Sequence, residues 1–416
     1  MTANIVRPGT HRPRAESAAR HHSFHDALQA RPTGSGPGDV LGLIRGGTAT
    51  TRGEIGAVTG LSRMTVAQRV DALLGAGLIR ETGPAEATGG RRASRLVFTT
   101  EHATLAVATL DTAHLRIALC DLDGTLLADQ STSTAIESGP KHVLNQVVEG
   151  VGRLFGRLHP DLPELTALAI SVPGPVDPLN GRPSQPPIMP GWDAFPIIEY
   201  LQEALPLPVP VFVENDADAM AFGERTTQYP DSDALCLVKV STGIGTGLVL
   251  GGRLYYGSDG GAGDIGHIRI AGETALCQCG SRGCLAAVAS GRAVSRELAE
   301  RGIAARSGRD VAGLLADGNP DAVALTYDAG RRIGAVMATV VSMLNPGTLV
   351  ISGDLASSAL IGGIRETLYP LTLPRATRNL DVRLGVLGAE AGIIGLARIA
   401  SDNLYSPAAV NERLAV

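Results

Sequence analysis

Three of the chain's five cysteines fall within eight residues, Cys277, Cys279 and Cys284 in "CQCGSRGC", and His267 stands ten residues ahead of the first. If these four side chains meet at one point, the backbone between them must turn back on itself, and Gly280 and Gly283 let it do so. A disulfide framework needs an oxidising compartment and usually an even count in a short chain. A chain of 416 residues with five cysteines fits neither condition. One imidazole and three thiolates are the set that tetrahedral Zn²⁺ takes, at a Zn–S distance of about 2.3 Å. With four protein ligands and no open position, such a site is structural. Its binding free energy is also folding free energy, on the order of 10 kcal/mol. The alternative is a group of unligated buried thiols.

The length allows two to four domains, each with its own core. Hydrophobic content of 44% and charged content of 19% are those of a soluble globular protein. No run approaches the roughly 18 apolar residues of a membrane span, and "MTANIVRPGTHRPRAESAARHH" lacks the apolar stretch of a secretory signal. The expected address is cytoplasmic, with no membrane partner.

The formal charge of −5 conceals an asymmetry. Residues 1–100 hold 13 Arg, no Lys and seven acids, a net +6, while the other 316 residues carry −11. A basic end on an acidic body suits a nucleic-acid partner, or else is a solvated basic tail. Residues 1–37 mix Arg, His, Pro, Gly and Ser without periodicity and read as a disordered tail.

From Asp39 the pattern turns helical. "DVLGLIRGG" is a short helix, and "TTRGEIGAVTGLSRMTVAQRVDALLGAGLI" gives two amphipathic segments broken at Thr59-Gly60-Leu61. Ile55 and Val58 form one inner face; Val66, Val70, Leu73 and Leu74 form the other. Ser62 stands at the N-cap. "GLIRETG" and "RLVFT" then read as two strands around "PAEATGGRRAS". Residues 38–100 are thus expected as a winged helix-turn-helix, with a small helical packing module as the alternative. The second helix would offer Ser62, Arg63, Thr65, Gln68 and Arg69 to phosphates and base edges of double-stranded DNA, with Arg91 and Arg92 at the wing tip.

From about Ala103, strands meander and then alternate with helices, twice over, implying two stacked α/β lobes with a cleft between them. The predicted lobes span about 103–225 with the C-terminal helix, and about 232–388; residues 402–416 are expected as a tail.

"GGAGDIGHI" followed by "CQCGSRGC", with "ENDADA", "GTGL" and "PPIMPGW", resembles the ROK family of repressors, open reading frames and sugar kinases over roughly 103–400. The cysteine motif is specific; the glycine loops are weaker signals. The resemblance implies an actin-like, two-lobed fold in the α/β class, a sugar site in the cleft, and a homodimer or homotetramer. Asp216 matches the base that deprotonates a sugar hydroxyl. Asn215 matches a hydroxyl contact, although Asn-Asp after a strand is also a helix cap. His267 matches a residue shared between zinc and the sugar site, and Asp264 stands for a Glu beside it.

Three departures oppose kinase chemistry. The family's kinases open with an Asp and then Gly-Gly-Thr, whose bare backbone admits ATP phosphates; the corresponding positions here are Thr109, Asp111, Thr112 and Ala113. The Glu that usually follows Cys-Leu is Ala286. The Asn often found ahead of Pro-Gly-Trp is Ile188. No catalytic residue is expected, Asp216 being vestigial. The expectation is a DNA-binding regulator, most simply a repressor, that senses a sugar or related metabolite. A sugar kinase and an effector-blind DNA-binding protein are the alternatives.

Overall fold

The computed structural model describes residues 35–84, 94–158 and 160–414. Arg91 and Arg92, and all but the last three residues of the expected tail 1–37, lie outside the described residues.

The described chain opens with α1 (Pro37–Arg45), α2 (Arg52–Thr59) and α3 (Arg63–Gly75). Pro37 suits the first turn of α1, where its missing N–H has no helical partner to lose. Thr51 and Glu54 cap α2 reciprocally. Gly60, at φ +72°, ends α2 in a left-handed turn that glycine takes at no steric cost. Ser62 then caps α3, its hydroxyl accepting from Thr65 N at 3.2 Å. Strands β1 (Ile79–Pro84) and β2 (Ser94–Phe98) pair antiparallel, with Ile79 opposite Phe98. Ile55, Val66, Val70 and Leu73 are buried and Leu74 half-buried.

Val58, expected on the inner face of α2, is 54% exposed instead. The short helix approaches α3 through Gly56, where an added Cβ would lie 3.9 Å from Val66 Cγ2. The contact therefore runs along the Ile55–Gly56 edge and bypasses Val58.

Lobe I holds β3 (Thr104–Leu110), β4 (His114–Cys120), β5 (Leu126–Ser133), α4 (Pro140–Leu158), β6 (Leu165–Val172), α5 (Ile197–Ala204), β7 (Val211–Asn215) and α6 (Asp216–Gln228). Its strand order is β5-β4-β3-β6-β7, an antiparallel meander continued by two parallel strands. Lobe II repeats the plan with β8 (Ala234–Val240), β9 (Ile244–Leu250) and β10 (Arg253–Leu254). After α7 (Leu285–Ala289), α8 (Gly291–Glu300), α9 (Gly308–Ala316) and α10 (Pro320–Leu344) come β11 (Thr348–Ser352), α11 (Ser358–Leu371), α12 (Pro374–Thr377) and β12 (Asp381–Leu384). The order β10-β9-β8-β11-β12 matches that of lobe I, so each lobe turns the same strand ends toward the cleft.

Helix α13 (Glu390–Leu404) returns to lobe I and crosses α6 where glycine faces backbone. A Cβ on Gly395 would lie 1.8 Å from Ala219 O, and one on Gly223 would lie 2.0 Å from Ala391 O.

The expected tail 402–416 is a correction. The end of α13 continues to Leu404, and α14 (Pro407–Arg413) follows with Val410 fully buried. Asn411 Oδ1 accepts from Gly38 N at 2.7 Å and Arg45 pairs with Asp402 at 2.8 Å. Val40, Leu41, Leu73 and Leu96 share one apolar cluster with Leu105, Val107, Leu396, Tyr405 and Val410. A seven-residue helix is ordered here because it closes the core between the N-terminal unit and lobe I. Among the described residues, no helix is long and apolar enough to cross a membrane.

Candidate functional site

The cleft is built at the ends of β3, β7 and β8. Asn215 ends β7 and caps α6, its carbonyl oxygen accepting from Ala217 N at 2.8 Å and Asp218 N at 3.2 Å. Its amide donates to Gly174 O at 2.9 Å. The capping role is therefore real, and one amide hydrogen is left for a ligand. Asp216, the next residue, is ion-paired with Lys239 from the end of β8, both side chains about 15% exposed.

Sequence reasoning missed Lys239, although a lone cation inside the apolar run "ALCLVKV" is the signal that could have found it. Burial works against its charge, but Asp216, with Asp111 and Asp354 beyond it, outweighs that and raises its pKa. Glu214, one residue before Asn215, is buried; burial lifts it to about 7, against the hydrogen bond from Tyr256 Oη at 2.6 Å. Asp218 is raised as well, first by burial and then by Glu214 and Asp216.

The lobes touch across this cleft. Thr112 Oγ1 lies 3.2 Å from Thr242 Oγ1. Arg309 meets His114 Nε2 at 2.8 Å and Asp111 at 3.5 Å. Asp111 Oδ1 meanwhile accepts from Ala113 N and His114 N at 2.6 and 2.7 Å, fixing the turn after β3. With Ala113 N and His114 N taken up by the turn's own carboxylate, these two amides are not bare to a phosphate. Within the retained glycine loop, Gly247 is accounted for by packing, since its Cβ would lie 2.4 Å from Ala217 O on α6, whereas a Cβ on Gly243 would meet nothing within 4 Å.

The remaining cavity, about 150 Å³, is lined by Asn215, Asp216, Asp264 and His267 together with Ile188 and Ala286. The four residues expected to meet a ligand are thus brought together, with the two apolar replacements beside them. Arg292 and Arg296 also line it; burial depresses the Arg292 pKa. Neither was anticipated.

His267 joins this cleft to the cysteine loop. Its Nδ1 lies 3.7 Å from Cys277 Sγ, and Cys279 Sγ lies 3.7 Å from Cys284 Sγ. All four ligand atoms fall within 4.8 Å of one another. Corners of a tetrahedron about 2.3 Å from its centre are about 3.8 Å apart, so the donor set fits an ion of that size as it stands. The loop is held by bridges between Arg269 and Cys284 and between Leu276 and Arg282.

On the N-terminal unit, Ser62, Arg63 and Gln68 are exposed, and Thr65 and Arg69 half-buried. Ser62 and Thr65 are tied to each other at 2.9 Å, and Arg69 Nε donates to Ser35 O at 3.0 Å. Met64, beside Arg63, is 75% exposed, an apolar side chain on this face that sequence reasoning passed over.

The ROK family matches residues 110–403. The chain is similar to the xylose repressor of Bacillus spizizenii, 26% identical over 359 residues that cover 85% of this chain and 91% of that protein. It is similar to the glucokinase of Thermotoga maritima, 28% identical over 306 residues that cover 69% of this chain and 94% of that one. Among solved structures, a ROK family transcriptional regulator described as a homologue of the E. coli MLC protein superposes with a TM-score of 0.78. The two are 28% identical, with 91% of this chain and 98% of that one covered.

Proposed function

The chain belongs to the ROK family, and from that premise we propose that it is a sequence-specific, DNA-binding transcriptional repressor whose inter-lobe cleft senses a sugar or related metabolite and no longer transfers phosphate. The observation that carries this reading is the capped helix α3, whose Arg63 and Gln68 stand free of the body. Likeness to the xylose repressor over 85% of the chain, against 69% for the glucokinase, supports it. Residues 38–100 act as the reader and 103–401 as the sensor. Ser62, Arg63, Thr65, Gln68, Arg69, Arg91 and Arg92 face DNA; Asn215, Asp216, Asp264 and His267 face the ligand.

Zinc is the ion assigned to His267, Cys277, Cys279 and Cys284, and it supplies no chemistry beyond holding this loop against the cleft. Phosphoryl transfer depends on positioned phosphates and an available base. Asp111 and its turn close one, and Lys239 engages the other. A ligand that fits one lobe arrangement better shifts the population of lobe positions. Because α13 and α14 join lobe I to α1, such a shift moves α3 on the groove. A homodimer or homotetramer sets two copies of α3 on a two-fold site; the exposed Leu371 and Leu373 are side chains of the kind a subunit contact buries.

The test is a labelled operator fragment titrated with the protein across a sugar and sugar-phosphate panel, with ATP turnover followed in parallel. Release by one ligand without ADP formation is the expected result. Sugar-dependent ADP formation abolished by Asp216→Asn would restore the kinase reading.

A further inference from the structure

A second cavity, about 400 Å³, lies away from the cleft where the N-terminal unit, lobe II and the C-terminal helices meet. It is larger than the cleft and falls within the few-hundred-Å³ range of small-molecule sites. Gly42 and Arg45 of α1, Arg225 of α6, the Gly252-Arg253 turn, and Arg398 and Asp402 of α13 contribute to its wall. Four arginines therefore face one carboxylate, and that carboxylate, Asp402, is already paired with Arg45 at 2.8 Å. Arg398 is paired with Asp123 at 2.9 Å. Arg225 and Arg253 have no ion-pair partner among the described residues, and the Nε atoms of Arg225 and Arg398 are buried without a hydrogen bond.

The backbone makes room for this arrangement. Gly251 and Gly252 join β9 to β10 with φ of +58° and +75°, the two-residue hairpin turn that glycine favours. A Cβ on Gly252 would lie 2.8 Å from Arg225 Nη2, so the missing side chain is what lets that guanidinium lie across the turn. The half-buried Arg225 guanidinium, without a counter-charge, is costly to leave unpaired, and with the exposed Arg253 on the same wall a phosphate is the ligand whose geometry and charge the two match.

We propose that this cavity is a second ligand site, distinct from the cleft, that takes a small phosphate-bearing molecule through Arg225 and Arg253. Its walls come from the reader's first helix and from lobe II, so occupancy bears directly on how the reader is held.

Calorimetry of the full-length protein with glycerol 3-phosphate and with inorganic phosphate tests this. Wild-type protein is expected to bind at millimolar concentration or better. Arg225→Gln and, separately, the exposed Arg253→Gln are expected to weaken binding at least tenfold, about 1.4 kcal/mol. The cleft double variant Lys239→Met with Asp216→Asn, and Arg63→Ala on the DNA face, are expected to leave it unchanged. No binding by the folded wild type, undiminished binding in both Gln variants, or loss in the folded cleft double variant or the Arg63 variant would overturn the proposal. Arg253 lies on a surface turn, so its variant remains informative if Arg225→Gln fails to fold.

Discussion

Lys239 decides the electrostatics of the cleft. An ammonium and a carboxylate this little exposed stabilise each other only as a pair, and removing one partner strands the other in a poorly solvated place. Lys239→Met is expected to cost about 3–5 kcal/mol in chemical denaturation, and the double variant with Asp216→Asn is expected to recover most of it. Equal losses in the single and double variants would refute the pairing. Glu214 gives a pH signature. Its folded pKa, about 7, is raised above the ordinary glutamate value of 4.5, so the folded state holds the extra proton between those values. Its contribution to stability therefore declines as pH rises from about 4.5 to 7, by an amount on the order of 3 kcal/mol. Glu214→Gln should flatten that part of the stability profile; an unchanged slope would contradict the assignment. Neither residue's role was legible beforehand. The string "VEND" marks a site but not which acid is buried, because burial of Glu214 depends on Tyr256 arriving from 42 residues away.

Among the elements, α3 was the most legible, because an N-cap serine, a glycine turn and a helical apolar repeat all agree there. Its exposed end makes the reading testable. Arg63→Ala should weaken operator binding about tenfold, within the 1–3 kcal/mol of a good base contact. Arg91→Ala with Arg92→Ala should lower the salt slope by about 0.9 for each phosphate no longer neutralised. Operator binding and slope unchanged in all three substitutions would remove α3 and the segment 85–93 from the interface. Helix α14 was illegible: seven residues are under two turns, too short for a period, and the one fully buried side chain, Val410, meets its neighbours only after the rest has folded. Val58 failed for a related reason. The 3.6-residue rule gives a face, while Gly56 fixes which edge of that face makes contact.

At the scale of the whole molecule, the two-lobed architecture could be read from the alternation of strands and helices, and the cysteine loop from its spacing alone. What could not be read is how the parts are joined: the glycine crossing of α6 and α13, and the core continuous from α1 to α14, are long-range contacts that no local pattern encodes. The loop's ion is expected to be one zinc per chain. Cys279→Ser should release it and lower the melting temperature, measured with metal content by mass spectrometry; full zinc retention with an unshifted melt would leave the four ligands without their role. The most direct test of the account is sequencing of genomic fragments captured by the purified full-length protein, wild type beside Arg63→Ala. A regulator should enrich a small set of sites that share a two-fold sequence, with half-site centres about 34 Å or a multiple apart, and the variant should lose them. Even, sequence-independent recovery with both proteins would contradict it.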